Sequence, residues 1–396
     1  MTSEHIAPDT APSHAPAPAD LTRQSAWRAI AAMFALNGGL FGIWASRIPA
    51  FKTAHDLSHA ELGGLLLLLA GGAICAFPIA GRLADTYGAA AVTRAIAAAK
   101  LIFFVALAAS PSIWFLAPAL FLFGAAHGAM DVTMNAWGAE VERWAKRPQM
   151  SSYHAMWSLG AGLGAASGYG AISLEIAPLW HFIAIGGTWT ALMLWIGQIP
   201  WTSPTNRSNP APVFSLPTGP LVLVGLLALG ASMGEGAIAD WSAVYLVDIG
   251  NAPENWAAMG YALFSVAMVA MRLAGDQITR HVPPVTAARI SGFVAAIGAV
   301  LTVLFPVPAI MLTGFVLMGL GYALIFPLAF SRAANDPVVP PGKALAGTAT
   351  FGYGGMLLGP PLIGFIANAT SLRVSFAVLA GLALMIAVLA SALRRT

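Results

Sequence analysis

The stretch Val307–Ser331, VPAIMLTGFVLMGLGYALIFPLAFS, runs without a single charge. As a helix it is about 38 Å long, enough to cross a hydrocarbon layer of about 30 Å. No water is available there, so a crossing segment must satisfy its own backbone hydrogen bonds, which leaves helices or a closed barrel. Barrel strands alternate in polarity over about 10 residues. This run is too long and too continuous for that, and it reads as a membrane helix.

Comparable runs fill the chain on either side. Hydrophobic residues make up 58% of the sequence and charged residues 9%. Spans are expected at 27–49, 58–80, 91–110, 113–138, 152–173, 178–198, 219–245, 254–274, 284–304, 307–331, 344–367 and 371–393. The fold class is therefore an all-α membrane protein of twelve transmembrane helices. Residues 1–26, rich in Ala and Pro and without an apolar core, are expected to be a disordered cytoplasmic tail and not a signal peptide. Residues 199–218 read as a cytoplasmic linker between two six-helix bundles, 27–198 and 219–396.

Charge placement orients the bundle. One set of flanks carries Arg143, Lys146, Arg147, Arg280, Arg394 and Arg395 among others, while the other holds only Arg47, Lys52 and Arg373. Positive flanks stay inside, so both termini are expected in the cytoplasm of a cell whose inner membrane the chain spans. Lys100 is left within the third span, where it snorkels or faces the bundle. The net charge of +3 is spread over loops and does not suggest nucleic acid. Cys75 is the only cysteine, so an intrachain disulfide is excluded.

The two halves echo each other at a shift of about 195 residues. FLFGAAHGAMD from Phe121 stands opposite FVLMGLGYALIF from Phe315, pairing Gly124 with Gly319. LGAASGYG from Leu163 stands opposite LGPPLIGF from Leu358, pairing Gly164 with Gly359. GRLAD (Gly81–Asp85) is answered by MRLAGD (Met271–Asp276). Two parallel six-helix halves that rock about a midplane cavity are a transporter design.

Gly81–Gly88, GRLADTYG, resembles the signature loop between spans two and three of the major facilitator superfamily, with Ala89 and Ala90 where a basic pair is usual. The resemblance implies the two-bundle fold and a latch role for Arg82 and Asp85, with Arg272 and Asp276 as their counterparts in the second half. WASRIPAF (Trp44–Phe51), ELGGLL (Glu61–Leu66), MDVTMNAWGAEVER (Met130–Arg143), YHAMWSLGAG (Tyr153–Gly162) and GEGAIADWSAVYL (Gly234–Leu246) are similar to the MosC-like branch of that superfamily. That likeness covers most of the chain and implies sugar-like or polyol-like solutes. Span four lacks the arginine, and span five the Gly-Pro pair, of the proton-exchanging drug exporters, which weighs against drug antiport.

Function is then sought among buried polar groups. His127, Asp131 and Asn135 recur every four residues on one face of span four. A carboxylate within a membrane helix costs about 2.5–3.5 kcal/mol on insertion scales. Burial opposes its ionisation, so Asp131 is expected to take up and release a proton; the alternative is a structural hydrogen-bonded stripe. His154 and Ser158 share a face of span five, where the histidine either relays protons or binds solute, unless it sits at the interface. Glu140 and Glu142 are expected to be solvated or paired with Arg143, Lys146 and Arg147. Glu235, flanked by Gly234 and Gly236, is expected to be the cavity acid on a locally unwound helix. Asp240, about 140° around the helix from it, is expected to gate or to pack against a neighbouring helix. Arg47 is expected to pair at the outer end with Glu61 or Asp240. Asn37, Trp44, His127, Asn135, Trp157, Tyr261, Tyr322 and Tyr353 are candidate solute-binding residues, and Asp131, Glu235 and His154 candidate proton-coupling residues.

No P-loop is present: Gly342-Lys343 is followed by Ala344, so ATP is not expected to drive the chain. Metal-ligand spacings and a nucleophile elbow are also missing, so no cofactor, metal or enzymatic activity is expected. The partners expected are a small solute, protons and the lipid bilayer, with the protein a monomer. The leading reading is a proton symporter working by alternating access. The alternatives are a proton-driven exporter of amphipathic compounds and a membrane receptor that binds without transport.

Overall fold

The computed structural model describes residues 21–147, 149–205, 216–339 and 341–394, apart from the side chains of Asp276 and residues 341–343. Among them there is no strand. Twelve helical segments follow in order: α1 (Arg23–Ala54), α2 (His59–Tyr87), α3 (Ala89–Ala108), α4 (Ile113–Ala145), α5 (Met150–Ser173) and α6 (Pro178–Ile196), then α7 (Leu221–Asp248), α8 (Glu254–His281), α9 (Pro284–Leu304), α10 (Pro308–Ala334), α11 (Pro341–Ala369) and α12 (Leu372–Leu393). Eleven are long and apolar enough to cross a membrane. The twelfth, α5, has the length but carries Ser, Gly, Tyr and His in place of aliphatic residues. An even number of crossings puts both described chain ends on one face, called here the terminal face. The expected tail lies outside the described residues up to position 20, and α1 already begins at Arg23. The middle of the expected linker, residues 206–215, also lies outside them.

Local chemistry sets several boundaries. Thr22 and Ser25 form a capping box at the start of α1, and Ser58 and Glu61 form another at the start of α2. Gly88, at φ +88°, ends α2 and begins α3 in a backbone conformation that side chains other than glycine rarely adopt. A π-turn at Phe182–Gly186 interrupts α6, and α10 is broken at Ala323–Leu324.

Packing repeats with a step of six helices. Within the first half α1 packs on α5, α2 on α4 and α3 on α4. Within the second, α7 packs on α11, α8 on α10 and α9 on α10. The halves meet through α2 against α11 and α5 against α8. The most apolar window of α1 is 94% buried within the protein and that of α7 67%, against 22% for α6, so α1 and α7 run through the centre. Large side chains such as Ile102, Trp195, Phe293 and Val388 stay exposed on α3, α6, α9 and α12, the faces left for lipid.

Three expectations about polar residues are corrected here. Glu142 accepts from the Gln149 and Met150 backbone N–H groups (2.6 and 2.9 Å), so it ties down the start of α5 and does not pair with the nearby basic residues. Glu140 accepts from Trp201 Nε1 (2.8 Å) and Ser203 Oγ (2.7 Å), docking the beginning of the linker. The third concerns α7, which is a continuous helix with no unwinding at Glu235. Its glycines serve close approach: a Cβ on Gly234 would fall 2.4 Å from the Tyr322 ring, and one on Gly236 2.6 Å from the Met356 carbonyl oxygen.

Candidate functional site

A central cavity lies between the halves. The first half contributes His127 and Asp131 from α4 and His154 and Trp157 from α5. The second contributes Glu235 and Asp240 from α7, Arg272 from α8 and Tyr353 from α11. Steps of four along α4 bring His127 and Asp131 to the same wall. Glu235 and Asp240 both reach the cavity, although they stand well apart around α7, because the cavity wraps that central helix. Asp240 therefore lines the cavity, where an outer or helix-packing position is expected.

Each acid is held differently. Asp131 takes Asn135 Nδ2 on its Oδ1 at 3.3 Å, and the Tyr353 hydroxyl of the other half reaches it within hydrogen-bonding range. Glu235 lies 3.4 Å from Arg272 Nη2. Arg272 also donates to Ser158 Oγ (2.5 Å) and the His154 carbonyl (3.4 Å), both across the interface on α5. Asp240 is 5% exposed, and its Oδ1 has no hydrogen-bond donor among the described residues. An ionised carboxylate in that position is costly, and a proton or a donor on a ligand relieves the cost.

Other candidates lie elsewhere. Asn37 is fully buried behind the wall, with its Oδ1 2.5 Å from Lys100 Nζ. Trp44 packs on Phe51 at 5.1 Å between ring centroids. Asn135 turns back on its own helix, donating to the Asp131 carbonyl at 2.8 Å. Tyr261 stacks on Phe264 at 6.2 Å, and the buried Tyr322 hydroxyl points to the Leu379 carbonyl at 3.5 Å. None of these five lines the cavity. Bulky aromatics on α1, α8 and α10 were captured by helix packing, and the amides by nearer partners.

The contacts on the face opposite the termini also differ from expectation. Glu61 is used up in the Ser58 capping box, accepting from Ser58 N and Oγ at 2.9 and 2.7 Å. Arg47 donates to the Ile176 carbonyl on the first half's own α5–α6 connection. The two halves are joined there instead by Asp248 at the end of α7. It lies 3.0 Å from Lys52 Nζ and 3.0 Å from His59 Nε2. Asn255 Nδ2 adds a 3.2 Å bond to Ser173 Oγ, and Gly63 meets Gly364 backbone to backbone. On the terminal side, Arg82 and Asp85 enter no ion pair with another described residue, Arg272 belongs to the cavity, and the Asp276 side chain lies outside the described set.

The Asp248 triad predicts a measurable bias. Half-exposed ion pairs contribute about 0–1 kcal/mol, so Asp248→Asn is expected to raise the population open to the opposite face by about two- to fivefold. The readout is alkylation of Leu66→Cys, a cavity-lining position, in a Cys75→Ser background by an impermeant maleimide added on that face. An unchanged rate would remove the triad as a lock.

Sequence reading missed the contact of Lys100 with His127 of the cavity wall and the Lys52–His59–Asp248 triad. Lys100 was recognisable as a charge in mid-span. The spacing S-x-x-E at Ser58–Glu61 is a helix-start signal that already assigns Glu61 to a cap.

Two six-helix halves joined at one face around a cavity that holds several charged side chains form the architecture of a membrane transporter. The chain belongs to the Major Facilitator Superfamily, whose family model matches residues 30–350. It is 48% identical to an uncharacterized transporter, y4wD, of Sinorhizobium fredii over 93% of this chain and 98% of that one. It is 31% identical to the membrane protein MosC of Rhizobium meliloti over 87% and 84% of the two chains. Among solved structures, the nucleoside transporter NupG superposes with a TM-score of 0.69 at 13% identity, covering 94% of this chain and 100% of that one. A bacterial homologue of the lysosomal transporter Spinster, in an inward-facing, occupied conformation, gives 0.68 at 13% identity over 94% and 96%. At such identities the likeness concerns the fold.

Proposed function

We propose that the protein is a proton-coupled symporter for a small, neutral, polyhydroxylated solute, working by alternating access in the inner membrane with both termini cytoplasmic. The observation that carries this reading is the buried Asp240 oxygen, without a donor among the described residues and facing the same cavity as Asp131. Two carboxyls in a low-dielectric cavity between rocking halves can each exchange a proton with whichever side is open. Asp131 touches Tyr353 of the other half, so its protonation alters a contact across the interface. Glu235 is neutralised by Arg272, which leaves Asp131 and Asp240 as the carriers. Trp157 and Phe41 supply apolar faces for the carbon skeleton of a solute, as sugar-binding sites require. NupG, whose fold the chain shares, is a nucleoside transporter, and a nucleoside is a polar, hydroxylated solute. The protein acts as a monomer, since one chain contains the whole cavity.

The test is a thermal-shift screen of purified protein with sugars, polyols, nucleosides and amino acids at two pH values, followed by uptake into proteoliposomes. A hydroxylated solute should raise the melting temperature and accumulate when an inward proton gradient is imposed. Binding without flux would identify a receptor. Accumulation driven only by an outward gradient would reverse the direction to export.

A further inference from the structure

Lys100 sits in the middle of α3 and is fully buried. An ammonium group has three N–H donors and no lone pair. Two acceptors and a ring nitrogen surround this one: Asn37 Oδ1 at 2.5 Å, the Asn37 carbonyl at 3.3 Å and His127 Nδ1 at 2.9 Å. The Phe123 ring lies beneath it, 5.1 Å from Nζ to centroid. Lys100 is thus satisfied without reaching the cavity, and its contact with the cavity wall runs through His127.

With Lys100 in its ammonium form, that contact sets the chemistry of the imidazole. A ring nitrogen that accepts from an ammonium carries a lone pair. A neutral ring then has its one proton on the other nitrogen. Protonating both nitrogens would turn an N–H against the ammonium. The ring plane is held by Phe41 at 5.2 Å, Phe123 at 6.2 Å and Trp157 at 6.5 Å between centroids. We infer that Lys100 is a positioning residue that holds His127 with its proton on Nε2, so that the wall beside Asp131 offers a hydrogen-bond donor next to a carboxyl acceptor. A hydroxyl group is the chemistry that answers both, accepting from His127 and donating to Asp131. This deepens, and rests on, the reading of the cavity as the site of a hydroxylated solute.

The experiment is nitrogen NMR on purified protein in nanodiscs with ring-labelled histidine, the His127 signals being assigned by their loss in His127→Gln. The expected result is an unprotonated Nδ1 and a protonated Nε2 in the unsubstituted protein. Lys100→Gln, which keeps an N–H donor, should preserve that pattern, and Lys100→Met should mix the two tautomers. A proton on Nδ1, or on both nitrogens, in the unsubstituted protein overturns the inference, and this measurement stands even if a variant fails to fold. The second arm uses myo-inositol, sorbitol and glucose as thermal-shift probes. Lys100→Met should weaken the binding of whichever probe stabilises the protein by about tenfold, the scale of one lost hydrogen bond. A lost tautomer with unchanged affinity overturns the donor role. The expected tautomer with no probe binding instead sinks the hydroxylated-solute reading while leaving the role of Lys100 intact.

Discussion

Asp131→Asn is expected to abolish accumulation driven by a proton gradient while leaving solute exchange across the membrane in place. One coupled proton moving down a one-unit pH difference supplies about 1.4 kcal/mol, enough for about tenfold accumulation. Asparagine is close to isosteric and can still receive the Tyr353 hydroxyl, so the cavity keeps its shape, but it carries no exchangeable proton of the required kind. The variant should therefore bring inside and outside concentrations to equality in reconstituted vesicles. Asp240→Asn should do the same if two protons are used in series. Its neutral side chain leaves no charge on a buried oxygen without a partner among the described residues, so this variant should be at least as stable as the parent. Glu235→Gln is the internal control. Its partner Arg272 keeps two bonds to α5, and accumulation should fall through weaker binding and not through lost coupling. Gradient-driven accumulation that persists in Asp131→Asn and Asp240→Asn together would remove the proton from the mechanism.

The sequence carried the fold because hydrocarbon permits so few backbone arrangements. The charge-free stretch at Val307–Ser331 could be read only one way, and eleven of the twelve expected spans recur as long apolar helices. The least apolar, α5, was still legible from its place between spans four and six. Buried ionisable residues were legible as well: His127, Asp131, His154 and Glu235 could be chosen because a membrane helix does not carry such groups idly. Their partners were not legible. Whether Asp240 faces a cavity or a neighbouring helix depends on how far the cavity wraps α7, and one helix's own periodicity does not contain that. Lys100 finds Asn37 and His127 across sequence separations of 63 and 27 residues, and Lys52 meets Asp248 across 196. Aromatics misled for a physical reason. Tyr261, Tyr322 and Trp44 have the composition of a sugar-binding wall, yet in this bundle large rings fill the spaces between helices, and among the tryptophan and tyrosine candidates only Trp157 and Tyr353 come to the cavity.

The repeated glycines lead to the largest expected effect on the fold itself. Gly124 of α4 lies against Leu69 of α2: a Cβ there would fall 2.0 Å from the Leu69 carbonyl oxygen. Gly319 of α10 lies against Phe264 of α8 in the same manner, with its Cβ position 2.5 Å from that carbonyl oxygen. Both contacts obey the shift of 195 residues, so the repeat read in the sequence is a repeat of helix crossings. Backbone oxygens do not swing aside as flexible side chains do, and the helices must part for a methyl group to enter. Gly124→Ala should therefore destabilise by about 3 kcal/mol, the upper part of the overpacking range. Gly72→Ala should match it, since its Cβ would stand 2.0 Å from the Phe121 carbonyl oxygen at the same crossing. Gly319→Ala starts from a looser contact and should cost less. The neighbouring Gly71, with nothing within 4 Å of its Cβ position, supplies the control: alanine there removes a helix-weakening residue and should leave stability equal or slightly raised. The measurement is the melting temperature and monodisperse yield of the four variants in one detergent. Equal values for Gly71→Ala and Gly72→Ala would mean that α2 and α4 do not cross as closely as described, and with that the basis for a rocking pair of matched halves would be lost.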